Sequence, residues 1–110
     1  MNLLTRPEEF VMLAIWKLQS DAYSLPIQKQ LSKSTGYTWS LSSIYTPLKR
    51  LTRKQLVTSH LTDPVPERGG RHKRVYRLTP MGREALLDIR RIESTVWEGV
   101  FDLALKGGLA

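Results

Sequence analysis

Three observations in this 110-residue chain predict a mainly α fold with a small two-stranded β-wing. Apolar residues recur at helical spacing in four segments. A loosely alternating run, LVTSHLT over 56–62, is answered by VYRL over 75–78 across a loop rich in Pro, Gly and Arg. Charge is concentrated in the same region. Eleven of the seventeen Lys/Arg lie between Lys29 and Arg77, against only Asp63 and Glu67, so that segment carries +9 and the remainder −2. Helix, helix, helix, strand, basic tip, strand and a long closing helix outline a winged helix-turn-helix over 1–79. A C-terminal dimerisation helix over 80–110 then packs with the N-terminal helix.

The composition excludes several classes of protein. With no cysteine there is no disulfide framework and no Cys-based metal site. The N-terminus lacks a signal-like apolar stretch, and no run approaches the roughly 18 apolar residues of a membrane span. A soluble cytoplasmic protein without cofactor is expected. A formal charge of +7 gathered into one segment is an electrostatic footprint for a polyanion, with a merely solvated charged surface as the alternative.

Thr5 begins the first helix, with Glu8 completing a capping box and Pro7 in the first turn, where its missing N–H costs nothing. Phe10 to Leu18 is apolar on nearly every face. It therefore needs cover on two sides, its own domain and a partner subunit reached through Phe10 and Leu13. The second helix runs from about Leu25 to Ser34, with Ser24 as cap and Ile27 and Leu31 turned inward. Gly36 stops it, and outward Lys29 is placed to touch a phosphate. Trp39 follows as a core or hinge aromatic rather than a ligand platform.

The third helix starts at Ser42 or Ser43, either of which can cap it, and reaches about Gln55, with Pro47 at most about one turn in. Ile44, Leu48 and Leu51 form its buried stripe, while Ser42, Ser43, Thr46, Lys49, Arg50 and Arg53 project the other way. A small polar start followed by cations suits a helix whose first turn meets base edges and whose later turns meet phosphates. Tyr45 lies between the faces, packing its ring or offering its hydroxyl to a phosphate. In the hairpin loop, Pro64 and Pro66 stiffen the chain, Gly69-Gly70 permits a tight tip, and Arg68, Arg71, Lys73 and Arg74 crowd it. Such a loop follows a phosphate backbone or enters a minor groove, unless it is simply a solvated hairpin.

Thr79 and Pro80 open the last helix, whose pattern continues to about Leu105, roughly 39 Å at 1.5 Å per residue. Ile89, Ile92, Val96, Val100 and Leu103 line one face, beside Trp97 and Phe101. A second copy of the same helix is the economical partner. Gly99 weakens the far end.

His60 and His72 have no carboxylate pair, nucleophile or metal-ligand spacing beside them, so an enzyme is not indicated. Double-stranded DNA is the expected partner. The rivals are a winged helix that binds protein or RNA, and a DNA binder without sequence preference.

The strings SSIYTPLKRL over 42–51, followed by Leu56-Val57, and ERGGRHKRVYRLTPMGREAL over 67–86 resemble the PadR family of bacterial transcriptional regulators. The likeness extends over about residues 8–98 and is greatest to the short subfamily with one C-terminal dimerisation helix. It implies a homodimeric repressor on an inverted repeat, with DNA contacts at Ser42, Ser43, Tyr45, Thr46, Lys49, Arg50, Arg71, Lys73 and Arg74. Some members bind a planar aromatic effector against a tryptophan, a role Trp97 would take here if it does more than fill the dimer seam. Two positions depart from the family pattern. Ser42-Ser43 stands where a glycine is common, and Gln55 replaces the glycine that usually stops the third helix.

Overall fold

A computed structural model describes residues 4–63 and 72–107. The elements are α1 (Arg6–Leu18), a 3-10 turn (Gln19–Asp21), α2 (Ser24–Thr35) and α3 (Leu41–Arg53). The hairpin β1 (Val57–Leu61) and β2 (Arg74–Leu78) follows, then α4 (Pro80–Trp97) and α5 (Val100–Leu105). The strands pair antiparallel, with Val57 opposite Leu78 and Leu61 opposite Arg74. Pro64, Pro66, Arg68, Gly69, Gly70 and Arg71 of the basic tip lie outside the described residues.

The central element is α1, which touches α2, α3, β2 and α4. Its Val11, Met12, Ala14 and Ile15 form the middle of a core completed by Ile27 and Leu31, Ile44, Leu48 and Leu51, Leu56, Val57, Tyr76, Leu78 and Leu86. The capping box expected at Thr5 is present in both directions. The Glu8 N–H donates to Thr5 Oγ1 (3.2 Å), and the Thr5 N–H donates to Glu8 Oε1 (2.8 Å).

Two caps fall elsewhere than the sequence indicates. Ser24 is the first residue inside α2 rather than its cap, and Tyr23 takes the capping position with no side-chain hydrogen bond. The chain is already held one residue earlier, because the Ala22 carbonyl accepts the Tyr76 N–H of β2 (2.8 Å). In α3 the cap is Ser40, whose hydroxyl accepts the Ser43 N–H (3.2 Å), so the helix opens at Leu41. Pro47 then sits in the second turn, buried, and forgoes the bond it would otherwise donate to the Ser43 carbonyl.

The exit from α3 answers the question raised by the missing glycine. The helix ends at Arg53, and Gln55 itself adopts φ 63°. The Gln55 N–H bonds the Thr52 carbonyl and the Leu56 N–H bonds the Leu51 carbonyl, both at 3.0 Å, which is the Schellman pattern with a non-glycine at its left-handed position.

The long closing helix is interrupted. α4 stops at Trp97, Gly99 takes φ 84°, and α5 starts on a new axis. The chain measures 59 × 28 × 20 Å, and its radius of gyration of 16.9 Å exceeds the roughly 13 Å of a compact chain this long. Residues beyond Glu93 on α4 and α5 are exposed, Val96 at 73% and Leu105 at 84%. Ile89, by contrast, is only 7% exposed within its own chain.

Candidate nucleic-acid interface

On α3 the buried stripe is Ile44, Pro47, Leu48 and Leu51. This leaves Ser42, Ser43, Thr46, Lys49, Arg50 and Arg53 exposed along the opposite side. Lys29 is exposed on α2. The hydroxyls at the start of α3 are not free rotors. Ser43 Oγ donates to the Ser40 carbonyl (2.6 Å), and the Ser42 and Ser40 hydroxyls share a bond at 3.1 Å. With its proton committed to a backbone carbonyl, Ser43 offers outward only acceptor lone pairs, which suit an adenine N6 or cytosine N4 amino group.

Tyr45 stands where α3 meets the hairpin. It borders two open clefts, about 630 Å³ and 430 Å³, and shares both with Arg74 and Tyr76. The larger is completed by Tyr23, His72 and Lys73, the smaller by Lys49, Arg53 and Ser59. The cations of β2 and the residues just before it are held in place. Lys73 Nζ lies 3.5 Å from the centroid of the Tyr23 ring. Arg74 donates to Ser59 Oγ (3.0 Å), and His72 Nδ1 donates to the Thr62 carbonyl (2.6 Å). Burial pushes the Tyr76 phenol up from its ordinary range, which the Arg74 guanidinium offsets in part while Tyr45 adds to it. Tyr76 therefore stays neutral and packs.

Tyr23 was not among the residues the sequence singled out. Its ring meets Lys73 across fifty residues, and no local pattern signals such a pairing. Trp39 occupies the turn between α2 and α3, half-buried against the core. Its indole N–H donates to Thr35 Oγ1 (3.0 Å), and its carbonyl accepts from Gln28 (2.6 Å), as suits a hinge aromatic.

One cation of the basic segment faces inward. Lys54, the C-cap of α3, places Nζ 3.1 Å from Glu8 Oε2, and Glu8 is 1% exposed. Burial pushes the Glu8 carboxyl up, but hydrogen bonds from Thr5 and Lys54 together outweigh it and hold the group below the usual carboxylate range. The neighbouring carboxyl behaves oppositely. Burial and the charge of Glu93 push Glu9 up, with only Arg6 opposing them. Arg6 pairs with both Glu9 and Glu93 and so ties α1 to α4.

At the far end, Trp97 stacks on Phe101 with centroids 5.4 Å apart, beside a cleft of about 520 Å³ that also reaches Arg90, Glu93 and Asp102. Phe10 and Leu13 line a separate groove of about 380 Å³ between α1 and α2, with Leu31 and Tyr37 on its other wall. Among the described residues, no helix is long and apolar enough to cross a membrane, and no three His, Asp or Glu gather to hold a metal ion.

Residues 12–88 match the model of the transcriptional regulator PadR-like family. Among solved structures, the chain is similar to a PadR-like transcriptional regulator from Bacillus cereus, with 23% identity, a TM-score of 0.70, and 88% of this chain and 89% of that one covered. A PadR family regulator from Eggerthella lenta gives 23% identity and a TM-score of 0.67 over 86% of this chain and 80% of that one. One from Clostridium difficile gives 24% and 0.63 over 93% and 97%. A comparison with curated proteins finds no match. At these identities the structural likeness is one of fold.

Proposed function

Because the chain belongs to the PadR-like family of transcriptional regulators, and so to DNA-binding regulators rather than enzymes, we propose that it is a homodimeric, cytoplasmic repressor reading an inverted repeat in a promoter. The observation that supports this most is the single exposed side of α3. Ser42, Ser43 and Thr46 lead it, Lys49, Arg50 and Arg53 follow, and Lys73 and Arg74 stand at the base of the hairpin next to Tyr45. The first three meet base edges in the major groove, and the cations neutralise flanking phosphates. Lys29 of α2 adds a phosphate contact, and Arg68 and Arg71 carry the positive charge on to the wing tip. Lys54, tied to Glu8, is left out of this set.

In this reading residues 1–79 do the DNA binding and 80–110 dimerise. The half-buried Ile92 and the exposed Val96, Val100 and Leu103 meet the same helices of a second copy, with Phe10 and Leu13 beside them. A planar aromatic effector enters at the Trp97–Phe101 stack and shifts the spacing of the two reading heads.

The test is fluorescence anisotropy on a duplex from the region upstream of the gene and on a scrambled duplex, over a salt series. A preference of about 10³ or more for the native duplex, saturating at two chains per site, is expected. Equal affinity with a steep salt slope would make the protein a binder of DNA in general. Binding to neither would favour a protein partner.

A further inference from the structure

Among the described residues, polar contacts from other elements grip the exit of the reading helix, one from α1 and one from the cap of α4. From α1, the buried Glu8 carboxylate holds Lys54 Nζ with one oxygen and the Thr5 N–H with the other. From the start of α4, Thr79 donates its hydroxyl to the Gln55 carbonyl (2.8 Å) and its N–H to the Leu56 carbonyl (3.0 Å). These three consecutive residues, Lys54 to Leu56, form the exit of α3. The base-reading residues lie at its opposite end.

That arrangement is a lever. Ser42 is twelve residues from Lys54, about 18 Å along the helix. A tilt of about 5° at the exit moves the first turn by about 1.6 Å, beyond the tolerance of a hydrogen bond to a base edge. Cations midway along the helix reach flexible phosphates through long side chains and tolerate the same tilt. An ion pair of this kind contributes little net stability compared with an apolar pair of the same size, so its main effect is on orientation.

We propose that Glu8 is a positioning residue for sequence reading: acting through Lys54, it sets the tilt of α3 against α1, and so determines base discrimination without touching DNA. The proposal rests on the reading of α3 as the helix that enters the major groove.

The experiment selects a duplex from a random pool with the wild-type dimer, then measures its affinity and that of a scrambled duplex across a salt series. Glu8→Gln, Lys54→Gln, Lys54→Arg and the double Gln variant are compared. Glu8→Gln is expected to lower the selected-to-scrambled ratio about tenfold, the scale of one lost base contact. Its salt slope and scrambled-duplex affinity should stay unchanged. Lys54→Gln, which takes the counter-charge from the buried Glu8 carboxylate and is therefore checked for folding by circular dichroism, should do the same. The double variant should be no worse than either single one, and Lys54→Arg should retain the ratio.

A drop of about one in salt slope per protomer for Lys54→Gln would identify Lys54 as a phosphate contact and overturn the proposal. An unchanged ratio in both Gln variants would also overturn it while leaving the DNA-binding reading intact. A wild-type protein that selects no sequence overturns that reading, and this proposal with it.

Discussion

The exits of α3 and α4 both pass through a residue of positive φ, Gln55 at 63° and Gly99 at 84°, yet they are made by different physics. At Gly99 a Cβ would meet nothing within 4 Å, so only the residue's own freedom makes the break. At Gln55 a residue with a Cβ is held left-handed by its surroundings. Two Schellman bonds, the Thr79 hydroxyl on its carbonyl, and Glu8 on the preceding Lys54 leave no other path. One break is local and soft, and the other is imposed by tertiary contacts. The soft one belongs to the segment proposed to meet a second subunit, and the imposed one fixes the helix proposed to read DNA.

The sharpest way to break the contrast is Gly82→Ala. Gly82 lies in the first turn of α4, where a Cβ would stand 2.1 Å from the Leu56 carbonyl oxygen, the same oxygen that accepts the Thr79 N–H. Backbone cannot yield there as a side-chain tip would, so the substitution should cost about 3 kcal/mol or more. A fall in Tm of at least 10 °C by circular dichroism is the expected reading, and an unchanged melt would show that α4 can slide off the α3 exit.

Next comes Glu8→Gln, which keeps an acceptor for the Thr5 N–H but removes the charge facing Lys54. A loss of about 1–2 kcal/mol is expected near neutral pH. The sign of the pH dependence is set by the lowered folded value of Glu8. Its stabilisation is present above the unfolded carboxylate value near 4.3 and is lost as pH falls through the folded one. Glu9, raised by burial and Glu93, opposes this, favouring the fold when protonated and losing that contribution as pH rises. The gap between wild type and Glu8→Gln should therefore narrow in melts taken at progressively lower pH, and a constant gap would contradict the assignment.

Gln55→Gly tests the imposed break from the other side. Glycine adopts φ 63° without a Cβ penalty, so the variant should gain about 1 kcal/mol in denaturant unfolding, less whatever it returns as unfolded-chain entropy. A destabilised variant would mean that the Gln55 side chain contributes something beyond its backbone.

The smallest change in stability is expected from Gly99→Ala, whose effect should be geometric. Alanine disfavours the left-handed conformation by about 1 kcal/mol, which moves the chain toward one continuous α4–α5 helix. Because the protein has no cysteine, spin labels at Leu87→Cys and Leu105→Cys report that distance cleanly. It should lengthen in the variant, and an unchanged distance would show the break to be held by something other than Gly99.

Much of this was legible in one dimension. The Thr5–Glu8 box, the Thr79-Pro80 start, the Gly36 stop, the inward pairs Ile27/Leu31 and Ile44/Leu48, and the two strands flanking a basic loop follow from patterns a few residues long. Such patterns are set by backbone hydrogen bonding and periodicity, which neighbours in sequence decide among themselves. The caps of α2 and α3 were misplaced by one to three residues because the deciding contact at Ala22 comes from β2, and because three serines compete at 40, 42 and 43.

The chain alone thus determined the family, the order of elements, and the helix and hairpin on which the candidate DNA contacts sit. Only the tertiary structure decided that Lys54 turns inward to a buried Glu8, that Tyr23 lies under Lys73, that Gln55 does the work of a glycine, and that Ile89 is already covered. Each depends on groups tens of residues apart arriving within a few ångströms. Local propensity carries no record of such encounters, because burial and charge pairing exist only once the core has closed.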